Sequence, residues 1–161
     1  MSRIVCNSGP LIALGILDKL ALLNLLFEEI YVPDAVQKEI LAGGIKLSGR
    51  DSFLQAKWIR IVTPKQNDLL LSALLDDGEA AVISLARELG IPLVLIDERK
   101  ARKVARDVYA LQAIGTARIL MEAKQKNLLP EIASLFEKLR HEGYWIHDDI
   151  VQASLRAVGE L

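Results

Sequence analysis

Four oxygen-bearing side chains lie where predicted strands and helices would bring them to one place. Asn7 and Asp97 each follow a short apolar run, and Glu39 and Glu79 belong to predicted amphipathic helices. In an α/β fold the carboxyl ends of parallel strands meet at one edge of the sheet, and ligands bind there. We therefore expect these four side chains to share one crevice.

A crevice with three carboxylates needs positive charge or bound protons. Carboxylates about 4 Å apart repel each other by roughly 1 kcal/mol in water and about 4 kcal/mol at an effective dielectric of 20. Magnesium and manganese bind carboxylate, carbonyl and water oxygens. Such a cation polarises a phosphoryl oxygen and activates a bound water for phosphodiester hydrolysis. The sequence therefore predicts a Mg²⁺ or Mn²⁺ site.

Each of these residues also has an ordinary structural alternative. Asp97 could be the N-cap of the next helix, and Asn7 could be a turn residue that bonds to its own backbone. Glu79 lies in a first helical turn, where the helix dipole favours a carboxylate by about 0.3–1 kcal/mol. Glu39 lies at the edge of an apolar stripe and could be a solvated glutamate. The sequence leaves both sets of roles open.

A basic run follows Asp97 on the next predicted helix. Its members are Arg99, Lys100, Arg102, Lys103 and Arg106. A solvated helix face is one explanation; the other is contact with a nucleic-acid backbone, which weakens with added salt. At a later helix start, Thr116 and the glycine before it could offer backbone amides to a phosphate, or Gly115 could serve a tight turn.

The alternation of short apolar runs with amphipathic segments predicts an α/β fold with parallel strands and right-handed crossovers. The predicted strands are Arg3 to Cys6, Ile30 to Val32, Ile59 to Val62, Leu93 to Ile96 and Leu111 to Ile114. The predicted helices are Leu11 to Phe27, Asp34 to Leu41, Asp51 to Lys57, Gln66 to Arg87, Glu98 to Tyr109, Ala117 to Lys126, Pro130 to His141 and Asp148 to Val158.

Length and composition predict one domain over residues 1–161. The chain has 161 residues, 52% of them hydrophobic, which is enough for one core and too few for two ordinary domains. We expect an α/β core over about 1–129 and a helical extension over about 130–161, with Gly143 ending the penultimate helix. A formal net charge of −1 gives no global basic field, so any nucleic-acid contact must be local.

The expected compartment is the cytoplasm. Cys6 is the one cysteine and lies in an apolar strand, which fits a reducing environment. The chain shows no signal-type N-terminus and no uncharged apolar stretch of membrane-spanning length, so we expect no membrane association. Glycine-rich nucleotide motifs are absent as well. We expect His141 and His147 to be exposed or capping side chains.

The site residues lie in segments that resemble a known family. These are I-V-C-N-S-G-P-L-I, V-P-D-A-V-Q-K-E-I, D-D-G-E-A-A-V-I-S-L-A, L-I-D-E-R-K-A-R and I-G-T. In order and spacing they resemble PIN domains over about residues 3–129, closest to a prokaryotic subgroup that carries asparagine at the first acidic position. The resemblance implies a three-layer α/β/α, Rossmann-like fold with a mostly parallel five-stranded sheet.

The resemblance also implies a function. PIN domains resemble small Mg²⁺- or Mn²⁺-dependent ribonucleases, and many are toxins of toxin–antitoxin pairs, so RNA and an antitoxin protein are the implied partners. Glu39, Glu79 and Asp97 would then bind the metal, with Ser8 beside the first metal-facing position, Asn7. Leucine-rich helices at Leu11 to Phe27 and Gln66 to Leu75 could bury against the sheet or form a dimer face.

The departure from the family pattern is at Asn7. Most active members carry aspartate there, whereas asparagine offers a neutral carbonyl oxygen. One interpretation is a metal-dependent endoribonuclease in which Asn7 completes the site. The alternative is a catalytically weakened module that binds RNA or a protein, and a third is a structural α/β protein whose acids are helix caps.

Overall fold

The strands of the computed structural model form one parallel sheet. The structure describes residues 2–44, 47–66 and 68–161. The strands are β1 (Arg3–Cys6), β2 (Glu29–Pro33), β3 (Ile59–Val62), β4 (Leu93–Leu95) and β5 (Gln112–Ile114). Their order is β3-β2-β1-β4-β5, and every pairing is parallel. The predicted α/β class and five-stranded sheet are confirmed, with strand ends displaced by one residue at most.

β1 lies at the centre because it is apolar on both faces. Ile4, Val5 and Cys6 are fully buried, and Val5 pairs with Tyr31 of β2 on one side and Val94 of β4 on the other. A strand covered on both faces of a parallel sheet needs this continuous apolar run. Burial also raises the pKa of the Cys6 thiol, so this cysteine is an inert core residue.

The strand order reverses between β1 and β4. From β1 the chain adds β2 and β3 on one side, then crosses to place β4 and β5 on the other. A crevice opens at the carboxyl ends of two strands where the order reverses. The backbone N–H of Asn7 donates to the carbonyl of Leu95 at 2.9 Å and holds these two strand ends together. The crevice therefore lies between the segments that carry Asn7 and Asp97.

Helices flank the sheet in a three-layer α/β/α arrangement. They are α1 (Ser8–Ile16), α2 (Leu22–Leu26), α3 (Asp34–Glu39), α4 (Leu47–Gln55), α5 (Leu69–Leu74), α6 (Asp77–Leu89), α7 (Arg99–Asp107), α8 (Thr116–Gln125), α9 (Ala133–His141) and α10 (Asp148–Ala157). α6 packs against β1, β2 and β4, and α3 packs against α6. In the second group, α1, α2 and α10 all contact α8. No helix of the described residues is long and apolar enough to cross a membrane.

The single helix predicted over Leu11 to Phe27 is wrong, because the chain turns between α1 and α2. Asp18 adopts a left-handed conformation, with φ of 55°. The N–H of Lys19 then donates back to the carbonyl of Leu14 at 2.8 Å, which satisfies a carbonyl at the end of α1. Aspartate tolerates left-handed geometry better than most residues, and this local effect ends α1 although the sequence is rich in leucine on both sides of Asp18.

The helix predicted over Gln66 to Arg87 is also two helices, α5 and α6. Leu75 is extended, with φ of −132° and ψ of 164°, and Asp76 caps the start of α6. Asp68 caps α5 and accepts the N–H of Leu70 at 2.9 Å. Asn67, within the predicted helix, lies outside the described residues. Polar caps therefore divide a segment whose apolar periodicity alone predicts one helix.

The C-terminal segment after α8 is tied to the core by one carboxylate. Glu160 accepts the N–H groups of Ile132 at 2.8 Å and Ala133 at 2.9 Å, and it pairs with Lys124 of α8 at 2.8 Å. These bonds lower the pKa of Glu160. The predicted role of Gly143 is confirmed, because it follows α9 with φ of 84°. The predicted start at Pro130 is three residues early.

We expect Glu160→Ala to lower the free energy of unfolding by about 1–3 kcal/mol, because two backbone donors and a lysine lose a charged acceptor. Urea denaturation measures the change. Glu137→Ala is the matched control, since the Glu137 side chain is 74% exposed and should change stability by no more than about 0.5 kcal/mol. Equal stability of the two variants would contradict this role of Glu160.

Candidate active site

Asp97 is fixed in the crevice by residues from two other parts of the chain. Its Oδ1 accepts the N–H of Thr116 at 2.7 Å, and its Oδ2 accepts the Thr116 hydroxyl at 2.6 Å and the Tyr144 hydroxyl. The N-cap of α7 is Glu98, which accepts the N–H of Lys100 at 2.9 Å. The structure therefore excludes the N-cap alternative for Asp97.

Two glycines allow these close approaches. A Cβ at Gly115 would lie 2.7 Å from Asp97 Oδ1, and a Cβ at Gly9 would lie 3.0 Å from the Tyr144 hydroxyl oxygen. Gly115 has φ of −117°, which other residues also adopt. Its role is therefore to admit the carboxylate rather than to make a tight turn.

Asn7 presents a buried oxygen without a hydrogen bond. The residue is 7% exposed and precedes α1, yet its side chain makes no capping bond. Among the described residues, its Oδ1 is a buried side-chain oxygen that has no hydrogen-bond partner. Leaving such an atom unpaired costs about 1–3 kcal/mol, so it calls for an ion or a water. The expected turn bond is not formed, and the oxygen is available to a ligand.

Glu79 combines a capping role with a perturbed pKa. Its N–H donates to Asp76 Oδ1 at 2.8 Å, and its Oε1 accepts the N–H of Asp76 at 3.3 Å. This capping box confirms that the carboxylate supports the start of α6. Burial above all, then the charge of Asp76 with further contributions from Glu98 and Glu39, raises the pKa of Glu79 to about 7. Near neutral pH the crevice thus holds a carboxyl group that is partly protonated.

Glu39 lies beside the crevice but is exposed. Its Oε2 accepts the Ser8 hydroxyl at 2.7 Å. A Cβ at Gly78 would lie 2.2 Å from Glu39 Oε1, so the glycine before Glu79 leaves room for this carboxylate. Glu39 therefore contributes charge near Glu79 while it orients Ser8. Its predicted role as a third metal ligand stays a prediction.

Three of the four predicted site residues line one cavity of about 790 Å³. Its lining comprises Asn7, Ser8, Gly9, Asp76, Glu79, Asp97, Glu98, Arg99, Arg102, Gly115, Ala117, Arg118, Met121, Tyr144, Trp145, Ile146, His147, Ile150 and Ser154. Glu39 is outside this lining. Of the predicted nucleic-acid contacts on α7, Arg99 and Arg102 line the cavity, whereas Lys100 and Lys103 are exposed beyond it. Acidic side chains and arginine side chains therefore line the same cavity.

Two predicted nucleic-acid contacts are placed differently from expectation. Arg102 turns inward and donates to the carbonyl of Ile96 at 3.3 Å and to that of Asp97, and burial lowers its pKa despite the nearby Asp97 charge. Thr116 is fully buried, so its side chain offers no surface to nucleic acid. Both residues hold the Asp97 segment instead of projecting from the protein.

Sequence reasoning missed the part of the cavity built by the C-terminal segment. Tyr144 reaches Asp97 from this segment, and burial with the Asp97 charge raises the pKa of its phenol. Trp145 and Ile146 line the same space. The aromatic pair after Gly143 was the available signal. His147 is exposed and caps α10 by accepting the N–H of Asp149 at 3.1 Å, as expected.

The donor set fits a hard cation that keeps part of its water shell. Within residues 2–44, 47–66 and 68–161, no group of three or more His, Cys, Asp or Glu side chains forms a ready-made metal cluster. Mg²⁺, however, commonly binds through one or two carboxylates together with waters and substrate phosphates. Asp97, Glu79 and Asn7 line one cavity and carry oxygen donors of the types that such a set uses. A carboxylate has about four acceptor positions, and the three hydrogen bonds to Asp97 leave room for one more contact.

The fold is an open parallel sheet whose strand order reverses between β1 and β4. Proteins with such sheets bind ligands in the crevice at the reversal, and in this chain acidic side chains lie there. The sequence model of the PIN domain matches residues 3–160, and the chain belongs to this family. The match includes α9 and α10, so it extends past residue 129. A PIN domain implies a nuclease-like fold that binds nucleic acid, and PIN domains generally use divalent metal ions. Comparison with curated proteins gives no significant match.

The raised pKa of Glu79 predicts a pH-dependent stability in the presence of EDTA. The folded chain holds this proton more tightly than the unfolded chain, whose glutamate has its ordinary pKa of 4.5. The contribution of Glu79 to the free energy of unfolding should therefore fall as pH rises from 4.5 to about 7 and stay lower above it.

Glu79→Gln keeps the capping box and removes the charge. Above pH 7 this variant should melt higher than the natural chain, by about 2–4 °C for each kcal/mol gained. Thermal unfolding across this pH range measures the effect, with Glu137→Gln as the exposed control. A stability difference between the natural chain and Glu79→Gln that is the same at pH 4.5 and at pH 7 would contradict the assignment.

Proposed function

We propose that this protein is a metal-dependent endoribonuclease that hydrolyses RNA phosphodiester bonds with Mg²⁺ or Mn²⁺. The observation that carries the proposal is the unpaired buried oxygen of Asn7, which shares a cavity with Asp97 and Glu79. Membership of the PIN domain family supports it. Asp97, Glu79 and Asn7 would hold the cation, with Glu39 as the further acid beside them.

The protein's contribution is to place these groups before substrate arrives. Thr116 and Tyr144 orient the Asp97 carboxylate, as outer partners of metal ligands commonly do. When bound, the cation would supply a water of lowered pKa and offset the charge of the attacked phosphate. Glu79 would release its proton as the cation binds.

We propose that the basic side chains of α7 near the acidic site bind the phosphate backbone of RNA. Arg99 lines the cavity, and Lys100 and Lys103 are exposed on the same helix. They can neutralise phosphates on either side of the cleaved bond, an interaction that weakens with salt. Arg102 would position the Asp97 segment through its bond to the Ile96 carbonyl.

We further propose that the protein acts in the cytoplasm as the toxin of a toxin–antitoxin pair. This role follows from the family rather than from a particular side chain. Exposed leucines, including Leu69 at 84% and Leu25 at 65%, offer apolar surface to an antitoxin or to a second copy of the chain. A neighbouring gene for a small protein that binds this chain and suppresses cleavage would support the pairing.

A second candidate function is RNA or protein binding without catalysis. The observation in its favour is again Asn7, because a neutral amide binds a cation less tightly than a carboxylate does. Asp97 strengthens this case, since three hydrogen bonds already occupy its carboxylate. The two functions differ in whether metal-dependent cleavage occurs at all.

Asp97→Asn should abolish metal-dependent cleavage. Loss of a residue that hydrogen-bonds to a metal ligand lowers metal affinity or activity by about 10–100-fold. Loss of the charge of the ligand itself should lower cleavage by at least this factor. The assay follows a mixed pool of single-stranded and structured RNA with manganese, magnesium or EDTA. Asp107→Asn, at the exposed end of α7, is the matched control and should cleave like the natural chain. Absence of cleavage by the natural chain with either metal would favour the binding module.

Asn7→Asp separates the two functions directly. If the natural chain is an enzyme, the variant should bind Mn²⁺ more tightly and yield the same cleavage products. In EDTA the variant should be less stable than the natural chain, because the added carboxylate repels the neighbouring acids. Calorimetric Mn²⁺ titration and the RNA assay measure these effects. Activity that exists only in the variant would show that the natural protein is the binding module.

A further inference from the structure

We propose that Trp145 stacks against an unpaired base of single-stranded RNA, in the same cavity as the acidic site. This inference rests on the proposed function and deepens it, because it names a side chain of this chain that would hold a substrate base beside the acidic site.

Trp145 combines high exposure with a position inside the candidate site. Its surface is 73% exposed, yet it lines the 790 Å³ cavity that Asp97 and Glu79 also line. Scattered exposed apolar residues are normal on protein surfaces. Trp145 differs because it lines the same cavity as the acids. An incoming base would cover apolar area that water now covers.

The segment that carries Trp145 is held on both sides. Tyr144 before it and Ile146 after it are half-buried and pack against the core, and the Tyr144 hydroxyl binds Asp97. The N–H of Tyr144 also donates to the carbonyl of Leu139 at 2.9 Å, where α9 ends. Trp145 is therefore presented at a fixed place relative to the acids, which limits the ordering cost of binding.

The surroundings of Trp145 suit a nucleotide. Met121, Ile146 and Ile150 add apolar surface to the cavity, and Arg99 and Arg118 add positive charge. Aromatic stacking combined with cations that follow the backbone is the common way to bind single strands without strict sequence preference. The cavity volume also falls in the range of about 300–1,000 Å³ that ligand sites occupy.

Duplex RNA cannot use this surface in the same way. Its bases stack on one another, so side chains that stack on RNA bases act on loops, bulges and single strands. The proposal therefore predicts a preference between two probes of one sequence. These are a short single-stranded oligoribonucleotide and the same strand annealed to its complement.

The experiment measures binding of both probes by fluorescence anisotropy in EDTA, so that cleavage plays no part. The natural chain should bind the single strand more tightly than the duplex. Trp145→Ala should weaken single-strand binding by about tenfold, whereas Trp145→Phe should retain most of it. Ile61→Ala removes an exposed apolar side chain outside the cavity and should leave binding unchanged. Thermal unfolding checks that each variant is folded.

Equal affinity of Trp145→Ala and the natural chain for the single strand would overturn the proposal. Equal binding of single strand and duplex, or no RNA binding, would overturn it as well. The RNA cleavage assay distinguishes this failure from failure of the proposed function. If the chain cleaves RNA but Trp145→Ala binds RNA normally, only the role of Trp145 is refuted. If binding depends on Trp145 but no metal supports cleavage, only the nuclease assignment is refuted.

Discussion

The Asp97 carboxylate is the point at which three parts of the chain meet. It follows β4, binds the backbone and hydroxyl of Thr116 at the start of α8, and accepts the Tyr144 hydroxyl from the segment after α9. Gly115 and Gly9 leave the space that these approaches need. The segment after α9 and helix α10 are thus part of the crevice wall as well as a support for the core. The PIN domain match through residue 160 agrees with this role.

The clustered carboxylates of the crevice lower the stability of the folded chain. The overall formal charge is only −1, yet Glu79 lies near Asp76, Glu98 and Glu39, and burial with these neighbours raises its pKa to about 7. A proton can relieve this repulsion, and so can a cation. A proton on Glu79 leaves the unpaired buried oxygen of Asn7 unsatisfied, and this oxygen still calls for an ion or a water. Local destabilisation of this kind is characteristic of functional sites.

The sheet was predictable because buried parallel strands have a simple signature. Ile4 and Val5 belong to an unbroken apolar run, which is typical of a strand buried on both faces of a parallel sheet. The carboxyl ends of such strands share one edge of the sheet. The sequence therefore predicts that Asn7 and Asp97 lie close together. The helix breaks were not predictable from periodicity, since they depend on the left-handed conformation of Asp18 and on a polar cap. The place of Tyr144 could not be inferred either, because it depends on how the last helices dock on α8. Tertiary packing, rather than any local pattern, completes the site.

The most direct test of this account is a calorimetric titration of Mn²⁺ into the natural chain and Glu79→Gln, in two buffers of different ionisation enthalpy. The pH should lie just below 7, where Glu79 still holds much of its proton. The account predicts saturable binding with proton release in the natural chain. In Glu79→Gln, binding should weaken and that proton release should disappear. No saturable binding to the natural chain, or equal proton release from both proteins, would contradict the claim that a cation completes this crevice.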